Sequence, residues 1–423
     1  MKNTSKILYL TILMLHINIA ISQDYWEILN TPHGLNLSSI VVNPNGVIYI
    51  GLSYNSGGGV LKSSDDGLTW ANAGLSNLGI MSITTPSNDT IYAGSDYVYR
   101  SINDGDSWEI ISPLLDPITL FVRDNTNLYV GIWGGIFKSE SIGSNWEQVL
   151  QLENTEVVNS IVEDIINGIL YAGTINFIGG GGVYRSVNGG NTWEHIGLID
   201  NYVSSLALNS SGDLFAGTRG NQDTGNGGVF VLPTGQSEWI NVNNEELVTS
   251  MIINSEDKIY IGCSTLDWYW GGVRCSLDNG QTWEDISTES MHDKDIERLI
   301  LGPEEHLYAL AFNSTTPLYK SINSTITSMH DHPVQKGLIT YNFPNPFKDE
   351  TTIYFSFPSN ISFDAKITVY NSVGRQIEKM NFPKHLKNEQ SIMFNSTNLP
   401  GGIYYYELSV GGIRTFRKMV LQK

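Results

Sequence analysis

Positive charge is scarce in this chain of 423 residues: 24 Lys and Arg stand against 43 Asp and Glu, a formal net charge of −19. The deficit is concentrated in 23–335, with 11 basic and 37 acidic residues, whereas 336–423 has 11 and 6. So acidic a body repels phosphate backbones, which excludes nucleic acid as its partner. Cysteine is nearly absent, with only Cys263 and Cys275. They allow one disulfide at most, which an exported chain permits. Register carried over from the tight hairpin at 92–101 sets Cys275 opposite Ile261 and diagonal to Cys263. Diagonal partners stand too far apart for a bridge, so reduced thiols are expected. Long apolar runs are missing after the first twenty residues, so no later stretch can cross a bilayer as a helix. The one early run, Ile7 to Ala20, is short and interrupted by His16 and Asn18. Lys2 and Lys6 precede it and Ala20-Ile21-Ser22 ends it, the pattern of a secretory signal peptide over 1–22. Several catalytic signatures are missing too. Nothing reads H-E-x-x-H, G-x-S-x-G or P-loop, and "GGGGVYRS" lacks the Lys of a phosphate cradle.

What is abundant is glycine (42 residues), alongside aromatics at 11%, which suits an all-β protein with many turns. A short strand ending in an aromatic and a small residue recurs seven times: "VIYIG", "TIYAG", "NLYVG", "ILYAG", "DLFAG", "KIYIG" and "HLYAL". Each follows an apolar stretch such as "LSSIVV", "VSSLAL" or "VTSMII", and each precedes a third strand and a turn. Trp closes the turn at 70, 108, 146, 193, 239 and 283, so the copies lie 38 to 47 residues apart. Four short strands at that period make one blade of a β-propeller. The seventh copy ends "SINSTITS", with Ser328 where Trp should stand. An orphan "YWEILN" at 25–30 supplies the missing fourth strand, with Trp26 in the vacant slot. The expected fold is therefore all-β, a seven-bladed propeller over 23–328 closed by an N-terminal strand.

The turn has its own chemistry. In "SSDDGLTW" the Asp65 carboxylate accepts from N–H groups of its own turn, Gly67 takes a conformation costly for other residues, and Trp70 buries a large surface. Equivalent residues are Asn103, Gly105 and Trp108; Asn188 and Trp193; and Asp278, Gly280 and Trp283. The pattern resembles the Asp-box, or BNR, repeat S-x-D-x-G-x-T-W. It is degraded in blades three (Ser141 for Asp), five (Thr234 and Glu238) and seven. Relatives of that kind include sialidases, sortilin-type receptor domains, xyloglucanase-like hydrolases and photosystem assembly factors. The resemblance implies that the Asp boxes hold turns at the blade periphery, opposite the ligand face, and are not catalysts.

After a linker over 329–340 the texture changes to alternating apolar residues with Pro and Gly punctuation, which predicts a small Ig-like β-sandwich over 341–423. Its start has Asn342, Pro344, Asn345, Pro346 and Phe347; its middle has Val369, Tyr370, Gly374 and Arg375. Its end has Leu399, Pro400, Gly402, Tyr404 and Lys418-Met419-Val420. The three motifs resemble, in order, the C-terminal sorting domain of type IX secretion cargo. That resemblance implies export across both membranes of a Gram-negative bacterium. It also implies a translocon and a sortase as partners, and anchoring at the outer surface.

Ligand contacts are expected where the second strand of a blade joins the third, because these loops vary most. Trp133, Trp268, Tyr269 and Trp270 offer stacking surfaces for sugar rings, with Arg219, Asp223 and Asp267 as polar partners. A sialidase needs three arginines on one carboxylate. Lys62, Arg100, Lys138, Arg185 and Lys320 share one repeat slot and are scaffold, Arg123 lies toward the turn side, and only Arg219, Arg298 and Arg274 remain; none of them opens a blade as the arginines of sialidases do, so an arginine triad is not expected. Two readings follow. The first is a non-catalytic module recognising a polysaccharide or a surface protein. The second is a glycoside hydrolase with paired carboxylates drawn from Asp223, Asp267, Asp293 and Asp295. Neither a metal nor a cofactor is expected; His330-Asp331-His332 in the linker is too small a set to hold an ion.

Overall fold

The computed structural model describes residues 25–325 and 339–423, apart from internal stretches of one to eight residues that include 220–226, 266–270, 344–346, 357–364, 372–374 and 383–388. The expected signal peptide and most of the expected linker lie outside the described residues.

Seven four-stranded antiparallel sheets form the blades of a propeller. Blade one, for example, comprises Leu37–Val42, Ile48–Leu52, Gly59–Ser63 and Ala71–Asn72. Second strands are covered on both faces, which is why they read as unbroken apolar runs: every residue of Ile48–Leu52, Leu214–Thr218 and Ile259–Cys263 is buried. Blade seven is assembled from both ends of the ring. Ile296–Leu301, Leu307–Ala311 and Leu318–Ser321 come from one end, and Trp26–Ile28 pairs with the last of them from the other.

Three repeated side-chain roles hold neighbouring blades together. A hydroxyl on the first strand spans two carbonyls, one on its own second strand and one at the next blade's entry. Ser204 donates to Gly217 O (3.0 Å) and Val248 O (2.5 Å), and Thr249 donates to Gly262 O (2.8 Å) and Ile296 O. Ser38 repeats the pattern with Gly51 O and Ile80 O. The small residue ending the second strand exists because the next blade's first strand packs on it. A Cβ on Gly217 would lie 2.4 Å from Val248 Cγ1. Finally, the indole N–H reaches the preceding blade: Trp108 to Ala73 O (2.7 Å), Trp146 to Ile111 O (3.0 Å) and Trp239 to Ile196 O (3.0 Å). Trp26 does the same at the closure, donating to Ile286 O of blade six at 2.7 Å.

The shared cation slot is scaffold by geometry. Lys62 binds Asp104 of blade two (2.7 Å), Lys138 binds Asn191 of blade four (2.8 Å), and Lys320 binds Asp66 across the seam. Arg100 and Arg185 hold Glu109 and Glu194 within their own blades. One register expectation is corrected. Cys275 faces Tyr260, not Ile261, because the repeat's aromatic always faces the cation slot, as Tyr92 faces Arg100. Cys263 faces Gly272, so the two thiols point to opposite faces of one sheet and are buried and free.

The tail is a sandwich of two sheets, one ordered Ile339–Phe343, Glu350–Ser356, Glu389–Asn395, the other Gln376–Phe382, Ala365–Asn371, Gly402–Val410, Ile413–Leu421. Its core includes Phe347, Ile353, Ile367, Phe394, Tyr406 and Met419.

Candidate ligand-binding face

In an antiparallel blade the loops joining second to third strands open at the same end as those joining a fourth strand to the next blade. On this end three rings from three blades stand in a row. Trp133 occupies the turn between strands Asn127–Ile132 and Gly135–Ser139, and is 42% exposed. Its ring centroid is 5.8 Å from that of Phe177, in the corresponding loop of blade four, and Phe177 is 5.6 Å from Tyr202 at the entry to blade five. Phe177 is 52% exposed, and Ile178 beside it is more exposed still. Trp133 is fixed by a bridge to Val157 on the first strand of blade four.

The row ends at Arg219, whose backbone N–H donates to Tyr202 O at 3.0 Å. Its guanidinium reaches from blade five to blade seven, where Nη2 donates to Glu297 Oε2 at 3.2 Å. Among the described residues Nε of Arg219 is buried without an acceptor. Burial pulls the neighbouring Arg298 guanidinium below its usual pKa; Glu297 opposes that effect and Arg219 adds to it. Two cations and one carboxylate thus share this end of the row.

Of the residues expected here from sequence, the structure brings Trp133 and Arg219 to one face, linked through Phe177 and Tyr202. Asp223, Asp267, Trp268, Tyr269 and Trp270 lie outside the described residues. Arg274 is buried and held by Glu246 (3.5 Å) and Asp285 (3.1 Å). Asp295 is occupied structurally, accepting from Ser264 Oγ (2.9 Å), Thr265 N (2.6 Å) and Thr265 Oγ1 (2.8 Å), while exposed Asp293 pairs with Lys294. Among the described residues no three His, Cys, Asp or Glu side chains group as metal ligands do.

Sequence reasoning missed Phe177 and Tyr202, and with them a cavity of about 610 Å³ beside the row. Gln151, Glu153, Glu156, Asn176, Tyr184 and His195 are among the residues lining it. Phe177 sat inside a loop rich in glycine and carried a weak signal. The cavity carried none, because its walls come from two blades.

At the opposite end the turns are built alike. Asp65 accepts from Thr69 N (2.8 Å), Thr69 Oγ1 (2.6 Å) and Ser63 Oγ (2.8 Å), while Ser63 Oγ accepts from Gly67 N (2.8 Å). Asp278, Ser276, Gly280 and Thr282 reproduce this set within 0.1 Å. Donors from Thr69 and Thr282, side chain first and backbone next, hold the Asp65 and Asp278 carboxyls below the usual range. Asn103 and Asn188 accept the same backbone bond at 3.0 Å without a charge. Gly67, Gly105 and Gly280 take positive φ of 83°, 87° and 85°. Trp70 donates to Asn30 O, whereas Trp193 and Trp283 donate to Gly190 O and Gly280 O in their own turns.

In the tail, the start and end motifs meet. Phe347 is buried, its N–H donates to Val420 O (2.9 Å), and its carbonyl accepts from Gln422 N (2.7 Å). Tyr404 is buried with its hydroxyl on Pro400 O (2.8 Å), Gly402 has φ of 148°, and Lys418 pairs with Tyr405 in the final hairpin. Arg375 is exposed and closes a turn on Asn371. Asn345, Pro346 and Gly374 lie outside the described residues. Residues 342–422 match the secretion system C-terminal sorting domain. The tail is a type IX sorting domain. The chain is accordingly an exported one, directed to the type IX machinery and to the outer surface.

No curated protein matches the sequence. Among solved structures, the chain resembles a GH74 xyloglucanase from Xanthomonas campestris (14% identity, 78% of this chain and 59% of that one, TM-score 0.55). It also resembles PorZ of Porphyromonas gingivalis, described as an essential bacterial surface component of the type IX secretion system (13% identity, 89% and 58%, TM-score 0.50). A puromycin hydrolase aligns at 7% identity over 78% and 62%, with a TM-score of 0.53. The chain spans less than two thirds of each of these three, and at such identities they speak for the propeller fold alone.

Proposed function

We propose that this protein is a surface-displayed recognition module whose propeller holds a polysaccharide without cleaving it. The observation that carries the reading is the row Trp133–Phe177–Tyr202. Two exposed rings, Trp133 and Phe177, continued by the half-buried Tyr202, cost stability in water unless something covers them, and stacking on sugar faces is what such a row does. Arg219 and Glu297 at its end supply directional hydrogen bonds to hydroxyl or carboxylate substituents. Asp267, Trp268, Tyr269 and Trp270, with Asp223, extend the same face in this reading.

The wider arrangement fits that role. Residues 1–22 act as the export signal, 23–328 as the propeller, 329–340 as the linker, and the sorting tail meets the translocon and then a sortase that leaves the propeller at the cell surface. The turns at the far end are Asp boxes that keep the ring rigid. The test is retention of the full chain on immobilised polysaccharides, xyloglucan and bacterial surface glycans among them, with released reducing sugar measured alongside. Retention without release, lost in a Trp133→Ala/Phe177→Ala variant, supports the reading. Release of sugar overturns its non-catalytic part, and capture of a surface protein with no glycan retained overturns the choice of ligand.

A further inference from the structure

The cavity beside the aromatic row contains a carboxylate that lacks a cation. Glu156 opens the first strand of blade four and is 5% exposed. Its Oε1 accepts from Thr174 Oγ1 at 2.6 Å and from Tyr184 OH at 3.4 Å. Among the described residues Oε2 accepts nothing, and neither Lys nor Arg approaches the group. Burial, with Glu156 adding to it, pushes the Tyr184 phenol up to about 12, so the hydroxyl keeps its proton and remains a donor. A buried carboxylate with two hydroxyl donors and no counter-charge is costly to keep.

The repeat supplies its own comparison. Aligning blades on the aromatic of the second strand (Tyr171 and Tyr260) makes Tyr184 equivalent to Arg274 and His195 equivalent to Asp285. Counting back from Val158 and Val248, each at the strand's register shift, makes Glu156 equivalent to Glu246. In blade six the glutamate is therefore answered: Arg274 reaches Glu246 and Asp285 together. In blade four Tyr stands where that guanidinium would be, His195 stands edge-on to it at 4.9 Å, and about 610 Å³ is open beside them. Blade four keeps the glutamate and has no arginine to answer it.

We infer that this cavity is a binding site for a protonated primary amine, carried on a sugar ring of the polysaccharide held by the row. The volume exceeds what an ammonium group needs and falls within the range of small-ligand sites. Its wall mixes Gln151, Asn176 and Glu153, which suit ring hydroxyls, with apolar Leu152 and Ile199. Row and cavity also adjoin: Val157, next to Glu156, bridges Trp133, and Asn176 on the cavity wall precedes Phe177. The amine completes the pair that Arg274 completes in blade six. This inference rests on the polysaccharide reading, yet it fails separately from it.

The experiment is calorimetric titration of the full chain with the β-1,4 trisaccharide of glucosamine and, in parallel, of N-acetylglucosamine. The free amine is expected to bind roughly tenfold or more tighter than the acetylated form, the weight of one charge-assisted bond. Glu156→Gln is expected to erase that difference. Tyr184→Arg should restore the internal pair of blade six and abolish amine binding while the protein melts no lower, which separates occupancy from misfolding. Ile199→Arg, at an exposed position on the rim, should weaken amine binding by repulsion. Equal affinity for both trisaccharides, amine binding that survives Tyr184→Arg, or binding of lysine peptides with none of the amino sugar would each overturn the inference. If glycans without amines are retained through Trp133 and no amine preference appears, the inference falls and the reading of the row stands. If the amine binds through Glu156 but Trp133→Ala changes nothing, the cavity stands without the row.

Discussion

Single side chains close this ring. The indole of Trp26 donates to Ile286 O across the seam, the bond that other indoles make within the chain's interior, and Trp26 is itself 4% exposed. Trp26→Phe leaves a small void and that carbonyl without its donor. The expected loss is about 1–3 kcal/mol of unfolding free energy in urea titration; an unchanged midpoint would deny the bond its role. The acidic turns make a prediction about pH. Asp65 and Asp278 have carboxyls held low in the folded state, so each contributes stability that is present above the unfolded pKa of about 4 and is lost as pH falls through the lower folded value. Asn103 and Asn188 already fill the same turn without titrating. A double Asp65→Asn/Asp278→Asn variant should therefore melt below the parent at neutral pH, with the gap closing as the solution is taken below about pH 4. A gap constant across that window would show that ionisation is irrelevant to the turns.

At the scale of strands and blades, much was legible because the period repeats the same contacts. Seven copies of an aromatic followed by a small residue announce a strand buried on both faces, and the orphan copy around Trp26 announces the closure. What the pattern did not reveal is why the small residue is small. The reason lies in the next blade, where Val248 packs against Gly217, and no local reading reaches it. Gly217→Ala should cost about 1–3 kcal/mol by overpacking, read from the same urea titration; a neutral result would mean that blades five and six slide freely past each other. The Ser and Thr bridges between blades were likewise present in "VSSLAL" and "VTSMII" but unreadable as bridges, since their second acceptor is more than forty residues away. The cysteine register failed differently. The register carried over from 92–101 runs one residue out of step, and the facing of each aromatic on the cation slot sets it right.

For the whole molecule, an acidic ring bears its apolar rings on one end and its Asp and Asn turns on the other, and a sorting tail sends it to the outer surface. Half of the candidate face was legible. Trp133 and Arg219 were found from loop composition, whereas Phe177, Tyr202 and the Glu156 cavity depend on which blades lie side by side. Function then turns on whether the row is covered by a ligand. The measurement that decides this is retention of the full chain and of its Trp133→Ala/Phe177→Ala variant on a polysaccharide panel, with released sugar followed in the same samples. The account predicts retention of the parent, loss of at least about tenfold in the variant, which is about 1.4 kcal/mol, and no release. Retention that the variant shares in full, or sugar released by the parent, would contradict it.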